Sequence, residues 1–281
     1  FHHGGLAMSN TAAADTLTPL APWLVAQSAA LLRQRGHAWL LHGPSGLGQY
    51  ELAMRLVRAW LCENPGEQGA CGQCGSCHAI EVRTHADVCV LMPETLQIEL
   101  GWPLHETAKK EIDDKKRKAS KEIRVDAMRS AVEFSQRTSA RGRGKAVLVY
   151  PAERMNAITA NALLKTLEEP PGDVRFVLAC EAVHQLLPTI RSRCLGHAMT
   201  WPAHDEALEW LKACGVPASD APVWLRASGG RPDDALALAH TGAAAKLWGE
   251  LPRMLAKGDA RGLADLPMPQ VVSILQKFCH D

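Results

Sequence analysis

The sequence has almost no net charge and few aromatic residues for a chain of 281 residues. Lys and Arg number 31 against 30 Asp and Glu, and aromatic residues make up 5% of the chain. This balance indicates no overall attraction to nucleic acid or to an anionic membrane surface. No apolar run is long enough to span a bilayer. The hydrophobic content of 47% can still bury a sizeable core, which we expect to divide into two or three domains.

The sequence also shows no secretory signal pattern, which matters because it contains nine cysteines. Phe1 to Ala7 precede Met8 and include His2-His3-Gly4-Gly5. We interpret residues 1–22 as an N-terminal extension that includes a tag remnant, and we exclude it from fold reasoning. Without a secretory signal we expect reduced thiols and a cytoplasmic protein.

The segment Gly43-Pro44-Ser45-Gly46-Leu47-Gly48-Gln49-Tyr50 has the glycine spacing of a phosphate-binding P-loop but lacks its two reactive side chains. In such a loop, backbone N–H groups wrap the phosphates, a Lys neutralises their charge and a hydroxyl binds Mg²⁺. The last two positions here are Gln49 and Tyr50. The flanks predict a buried strand before the loop and an amphipathic helix after it. The segment is therefore either a nucleotide-binding fold without its chemistry or an unrelated glycine-rich turn.

Four cysteines follow this helix in a C-x8-C-x2-C-x2-C pattern, namely Cys62, Cys71, Cys74 and Cys77. Closely spaced thiolates on tight, glycine-rich turns suit tetrahedral Zn²⁺ in a structural site. An iron–sulfur site, a disulfide pair and free thiols are the alternatives. The ferredoxin pattern requires a further Cys after the third, which His78-Ala79-Ile80-Glu81 does not supply. His78 is a lesser candidate for the fourth ligand.

Four short apolar runs, separated by helical or loop sequence, predict a parallel α/β sheet: Trp39–His42, Val88–Leu91, Ala146–Tyr150 and Arg175–Ala179. Between Pro93 and Glu122 the pattern becomes polar, which favours a solvated, mobile insertion over a segment that contacts the DNA backbone. A helical period resumes over 123–129. From Asp205 onward the sequence is rich in Ala and Leu, and it predicts a helical domain.

Two longer segments carry a family resemblance, Asn161–Pro171 (NALLKTLEEPP) and Pro188–Cys194 (PTIRSRC). They closely resemble the AAA+ clamp-loader subunits of bacterial DNA polymerase III, and the likeness covers roughly residues 23–236. The ATPase subunits of this clamp loader, gamma and tau, also carry a cysteine block after the P-loop helix. The resemblance implies an AAA+ α/β domain over 23–200 with a zinc module at 62–77. A helical lid over 201–246 and the start of a truncated collar domain over 247–281 would follow.

The same resemblance shows which ATPase residues differ here. The strand that ends at Val149 lies where the family has its Walker B strand, but Tyr150-Pro151 replaces the two carboxylates that hold Mg²⁺, and Glu153 lies two residues too far along. Ala179-Cys180-Glu181 replaces a polar sensor residue. The second sensor Arg aligns with Asp233, with Arg231 as the alternative. We therefore expect this chain neither to bind nor to hydrolyse Mg-ATP, the alternative being a divergent ATPase.

One catalytic element of the family is retained. Arg193 matches the arginine finger, a guanidinium that reaches the ATP of a neighbouring subunit, and Arg191 is a rival by proximity alone. The implied function is that of a non-hydrolysing clamp-loader subunit. Its partners would be the gamma or tau ATPase subunits and the delta subunit, with the sliding clamp and primed DNA reached through the complex. The alternatives are an active ATPase subunit and a four-cysteine zinc module that binds nucleic acid.

Overall fold

The computed structural model describes residues 21–240 and 245–263, together with residue 271. These residues form two compact units. The first comprises residues 24–44 and 49–199, and the second comprises 21–23, 45–48 and the described part of 200–281. The division of the helical part into a lid to residue 246 and a collar from 247 stays a prediction. Most of the predicted extension at 1–22, and residues 264–270 and 272–281 of the predicted collar, lie outside the described residues.

The first unit is built on a five-stranded parallel sheet in the order β2-β3-β4-β1-β5. The strands are β1 Ala38–His42, β2 Val88–Leu91, β3 Lys145–Val149, β4 Val174–Cys180 and β5 Leu195–Ala198. The four predicted strands are confirmed to within one residue at each end. The sequence pattern missed β5 because this short edge strand is largely exposed and contains Gly196.

Eight α-helices described within residues 21–200 precede or connect these strands. They are α1 Pro22–Leu32, α2 Gln49–Leu61, α3 Gly75–Glu81, α4 Glu94–Glu99, α5 Glu106–Asp113, α6 Val125–Gln136, α7 Ala157–Glu168 and α8 Pro188–Arg191. The central strands are mostly apolar and mostly buried, as expected for a parallel sheet covered by helices on both faces; the exceptions are the half-buried His42 and Arg175 and the buried, charged Lys145. Phe176 and Leu178 of β4 share a buried core with Leu163 of α7.

The parallel arrangement brings the carboxyl ends of β1, β3 and β4 to one edge of the sheet. Ligands of open α/β sheets bind at this edge, in the loops that follow the strands. The P-loop segment follows β1, Tyr150 follows β3 and Glu181 follows β4. The fold therefore collects the residues at the predicted nucleotide-site positions at one edge.

The polar segment 93–122 is more regular than the sequence pattern predicted, because it contains α4 and α5. Arg117 organises it: its Nη1 and Nη2 donate to the Glu94 carboxylate at 2.5 and 2.8 Å, and its Nε donates to Glu111 at 2.6 Å. The Arg117 guanidinium also lowers the pKa of the buried Glu94 carboxyl. The sequence signal was weak because α5 buries none of its residues.

Every regular element described after residue 203 in the second unit is a helix, which confirms the predicted change of class. Its helices are α9 His204–Ala213, α10 Ala221–Ala227, α11 Pro232–His240 and α12 Ala245–Ala256. Trp210 and Trp224 are buried in this unit, and Trp23 packs edge-on against Trp210 with ring centroids 5.2 Å apart. In the described part of the chain, every helix is too short or too polar to cross a membrane.

Candidate metal centre and degenerate nucleotide site

The four cysteines predicted from their spacing come together in space. Their sulfur atoms all lie within 4.8 Å of one another. Cys62 Sγ lies 3.8 Å from Cys74 Sγ and 3.7 Å from Cys77 Sγ. Four thiolates bound at about 2.3 Å to a tetrahedral ion would lie about 3.8 Å apart, whereas a disulfide would require about 2.0 Å. The cluster therefore has the dimensions of a cage that can hold a metal ion.

Backbone N–H groups point at the sulfurs of this cage. The N–H of Glu63 and that of Cys77 donate to Cys74 Sγ at 3.5 and 3.4 Å. Burial alone would raise the pKa of the Cys74 thiol, but these hydrogen bonds outweigh it and bring the pKa down to about 6. The N–H of Gln73 lowers the pKa of Cys71 in the same way.

The other two thiols respond to burial. Burial raises the pKa of Cys62, and it raises that of Cys77 to about 12. A bound divalent cation would stabilise all four thiolates, since metal coordination deprotonates thiols. The donor set therefore matches a thiophilic cation.

Glu63 connects this cage to the rest of the first unit. Its Oε1 accepts hydrogen bonds from Ser76 N at 3.0 Å, from Ser76 Oγ at 3.1 Å and from Arg141 Nη1 at 3.0 Å. Glu63 follows Cys62 directly, and Ser76 precedes Cys77. These contacts support the ligands from outside, as is common around metal sites. The sequence analysis missed Glu63, although its place beside a ligand was a signal.

His78, the lesser candidate for a ligand, is exposed and is not part of the group that could hold an ion. Cys180 is buried in the sheet core, far in sequence from the cage, and burial raises its pKa to about 12. Among the described residues, the cage is therefore formed by the four cysteines named above.

The P-loop segment is filled by its own residue at the lysine position. Gln49 is buried, and its Nε2 donates hydrogen bonds to the carbonyl oxygens of Gly43 at 2.8 Å and Pro44 at 2.6 Å. The loop turns at Gly46 and Gly48, both with φ of 81°, a region that favours glycine. The glycine geometry of the loop is thus kept, while an amide bonded to loop carbonyls stands where a phosphate-binding ammonium would be.

Two tyrosines meet at the positions that hold Mg²⁺ in an active site of this kind. The rings of Tyr50 and Tyr150 have centroids 5.5 Å apart. Tyr50 Oη accepts a hydrogen bond from Trp102 Nε1 at 2.7 Å, and Tyr150 Oη donates to Glu181 at 3.2 Å. Burial and the nearby Glu181 raise the pKa of Tyr150, so this phenol stays neutral near pH 7. An aromatic pair therefore occupies the space between the loop helix and β3.

Two further residues considered for the nucleotide site form hydrogen bonds within the chain. Glu153 Oε1 accepts a hydrogen bond from the backbone N–H of Glu181 at 3.0 Å, so this carboxylate caps the end of β4. Within the second unit, Arg231 Nη1 donates to Ser45 Oγ at 3.2 Å. This contact brings Arg231 next to Ser45 of the loop, and the choice between Asp233 and Arg231 for the second sensor stays a prediction.

Arg193 lies two residues after the end of α8, and neighbouring residues hold its side chain by hydrogen bonds. Its Nε donates to Glu168 Oε1 at 2.7 Å, its Nη2 donates to the same oxygen, and its Nη1 donates to the carbonyl of Thr189 at 2.8 Å. Arg191 is exposed on α8. The sequence analysis named Arg193 but not Glu168, whose place in the LEEPP segment was the available signal.

A buried carboxylate that the sequence analysis also missed, Asp87, is linked to Glu63 through Arg141. Asp87 is fully buried and accepts four hydrogen bonds, from Ser139 Oγ, Ala140 N, Arg141 N and Lys145 Nζ at 2.8 to 3.2 Å. Burial alone would raise the pKa of Asp87, but these donors together lower it. The Asp87 carboxylate holds the loop that precedes β3. Arg141 of this loop also donates a hydrogen bond to Glu63.

Comparison with known proteins finds subunits of DNA polymerase III. The profile of a family described as DNA polymerase III, delta subunit, matches residues 25–200. The chain is 40% identical over 201 residues to DNA polymerase III subunit delta' of Pseudomonas aeruginosa, covering 71% of this chain and 54% of that one. It is 34% identical over 223 residues to DNA polymerase III subunit delta' of Escherichia coli, covering 77% and 60%.

A subunit with a different name also matches. The chain is 31% identical over 176 residues to DNA polymerase III subunit gamma of Buchnera aphidicola from Acyrthosiphon pisum, covering 63% of this chain and 42% of that one. The chain thus spans about half the length of the curated relatives it matches. The five-stranded parallel sheet, with a P-loop between β1 and α2, agrees with an AAA+ fold. The family profile covers more than half of the chain and the first two relatives are both delta' subunits, so the chain belongs to the delta' family of DNA polymerase III subunits.

Proposed function

We propose that this chain is part of a non-hydrolysing subunit of the DNA polymerase III clamp loader. In this role it supports the opening of the sliding clamp and its loading onto primed DNA. Its partners are the gamma or tau ATPase subunits and the delta subunit, and ATP is hydrolysed by the ATPase subunits. Membership of the delta' family and the motif resemblance support this assignment.

The observation that carries the proposal is the P-loop segment whose own Gln49 side chain bonds its carbonyl groups, which we call the self-filled P-loop. Gln49 bonds the Gly43 and Pro44 carbonyls, so its side-chain amide is already held by two hydrogen bonds to the loop, and a phosphate that entered there would have to displace it. Even after displacement the loop would lack the ammonium that neutralises β- and γ-phosphate charge. The Tyr50 and Tyr150 rings stand where carboxylate and hydroxyl ligands of Mg²⁺ are required.

A direct binding measurement tests this proposal. Titration calorimetry of the full-length protein with Mg-ATP should show no micromolar affinity, and a gamma subunit measured in parallel is the positive control. Gln49→Ala is the informative variant, since it opens the loop without adding a cation and should not create binding. A dissociation constant near 1 μM for the unmodified protein, about 8 kcal/mol of binding, would instead favour an active ATPase subunit.

We also propose that the cage of Cys62, Cys71, Cys74 and Cys77 holds one structural Zn²⁺. The tetrahedral spacing of the sulfurs and the N–H groups that stabilise thiolates support zinc, whose structural sites are closed by four protein ligands. Elemental analysis of freshly purified protein should find about one zinc per chain. Iron in its place, or zinc below about half an equivalent, would contradict this proposal.

The third part of the proposal is that Arg193 acts in trans on the ATP of a neighbouring subunit. Its permanently charged, planar guanidinium suits the γ-phosphate oxygens. In the assembled loader, Arg193→Ala should reduce clamp- and DNA-stimulated ATP hydrolysis, and Arg191→Ala is the matched control on the same turn. Arginine fingers contribute roughly 10³–10⁵ in rate at one site, but the measured loss should be partial because the other ATP sites remain. Normal activity of Arg193→Ala, with a defect in Arg191→Ala, would assign the finger to Arg191.

A further inference from the structure

We propose that Glu168 is a positioning residue that orients the Arg193 guanidinium for the phosphate of the neighbouring subunit. This inference rests on the finger role of Arg193 proposed above. It assigns a role to a carboxylate at the end of α7, 25 residues away from the arginine in sequence.

The geometry of the ion pair leaves part of the guanidinium open. Nε and Nη2 of Arg193 both donate to Glu168 Oε1, while Nη1 donates to the Thr189 carbonyl and lies 3.4 Å from Ser192 Oγ. A guanidinium has five N–H groups, and these contacts use at most four. Among the described residues, the second N–H of Nη2 has no acceptor in these contacts, so it is available to a phosphate oxygen. The carboxylate holds the side of the fork that carries Nε, so the orientation of the whole plane is set.

Both anchors of Arg193 rest on the packed core of the first unit. Glu168 directly follows Leu167, which is 1% exposed, and Thr189 directly precedes Ile190, which is fully buried; both apolar side chains belong to the same core. The backbone N–H of Arg193 donates to the Ile190 carbonyl at 3.1 Å. A long side chain that is ordered before a partner arrives loses less conformational freedom on binding. The pair thus preorganises a finger on a rigid base.

The exposure of the pair separates positioning from stability. The side chain of Glu168 is 49% exposed and that of Arg193 is 29% exposed. Ion pairs with this exposure contribute little to folding stability, so loss of Glu168 should leave the fold intact. The neighbouring Glu169 is a matched control, since it is an exposed carboxylate one residue away whose side chain does not take part in the pair.

The opposite role would be a latch, in which Glu168 competes with the phosphate for Arg193. The two roles predict opposite signs. Removal of a positioning carboxylate lowers stimulated turnover, while removal of a latch raises it. Two features favour a positioning role for Glu168: the open N–H of Arg193 Nη2, and the additional hydrogen bond from Arg193 Nη1 to the Thr189 carbonyl.

The test uses the full-length protein assembled with its loader partners and compares Glu168→Gln, Glu168→Asp, Glu169→Gln and Arg193→Ala. We expect Glu168→Gln to lower kcat of clamp- and DNA-stimulated ATP hydrolysis, with KM for ATP and thermal unfolding unchanged. The loss should be roughly half, on a logarithmic scale, of that in Arg193→Ala, because misaligned groups lose rate without losing their charge. Glu168→Asp should recover part of the loss, and Glu169→Gln should be normal.

Two results overturn different statements. If Arg193→Ala is defective while Glu168→Gln has normal or higher turnover, the positioning role of Glu168 is wrong and the finger assignment stands. If Arg193→Ala itself is normal, the finger assignment in the proposed function fails first. A Glu169→Gln defect equal to that of Glu168→Gln would show that surface charge, not orientation, is responsible.

Discussion

Replacing the buried Asp87 by Asn should strongly destabilise the first unit. The carboxylate accepts hydrogen bonds from Lys145 and from two backbone N–H groups, and an amide can replace only part of these acceptors. Lys145, whose side chain is 5% exposed, would keep its charge without a counter-charge. Removal of one partner from a buried ion pair typically costs about 3–5 kcal/mol.

The magnitude can be measured by thermal and urea unfolding. For a protein of this size a loss of 3–5 kcal/mol corresponds to a fall in Tm of roughly 6–20 °C. Asp173→Asn is the matched control: its side chain is 65% exposed and its ion pair with Arg175 should contribute at most about 1 kcal/mol. Adding Lys145→Met to Asp87→Asn should recover part of the loss, since the unpaired charge is then removed.

Acid unfolding provides a second test of the role of Asp87. The pKa of Asp87 is lower in the folded state than in the unfolded chain, so its contribution to stability is present above the unfolded pKa of about 3.9 and is lost as the pH falls through the folded value. The unmodified protein should therefore lose stability below about pH 4 more steeply than Asp87→Asn. The reasoning is refuted if Asp87→Asn unfolds within about 1 kcal/mol of the unmodified protein, or if the two acid profiles are parallel.

Three further predictions concern the other sites. Cys74→Ser should reduce bound zinc measured by elemental analysis, whereas Cys214→Ser should leave it unchanged; equal losses would contradict the assigned ligands. Gln49→Lys combined with Tyr50→Thr should not restore Mg-ATP hydrolysis, because the Walker B carboxylates are still missing; steady turnover in a phosphate-release assay would show that the site is less damaged than we infer. Arg117→Ala should increase amide hydrogen exchange across residues 93–122, since Arg117 joins two carboxylates there; unchanged exchange would mean that the two helices do not depend on it.

The sequence predicted the central strands and the cysteine cage well because both depend on local patterns. Val147 and Leu148 belong to a run that is buried on both faces, and such runs read as continuous apolar sequence. The C-x2-C spacing reflects the turn that presents two sulfurs to one ion. The strand at Leu195 was missed because an exposed edge strand has no such pattern.

The parts that the sequence did not predict depend on contacts between distant residues. Asp87 and Lys145 are separated by 58 positions, and nothing near Asp87 distinguishes it from an exposed carboxylate. The pairing of Tyr50 with Tyr150 requires the sheet order, which places the loop helix over β3. The absence of the P-loop lysine could be read directly, but the two hydrogen bonds of Gln49 could not.

The self-filled P-loop has a consequence for how the shape of this domain depends on nucleotide concentration. A domain that binds a ligand only when folded gains stability that grows with the logarithm of ligand concentration. The hydrogen bonds of Gln49 to the loop carbonyls come from the chain itself and do not depend on ATP concentration. We therefore expect the Tm of this protein to be the same with and without ATP. In the clamp-loader role proposed above, its surface would then keep one geometry while the ATPase subunits bind and hydrolyse ATP.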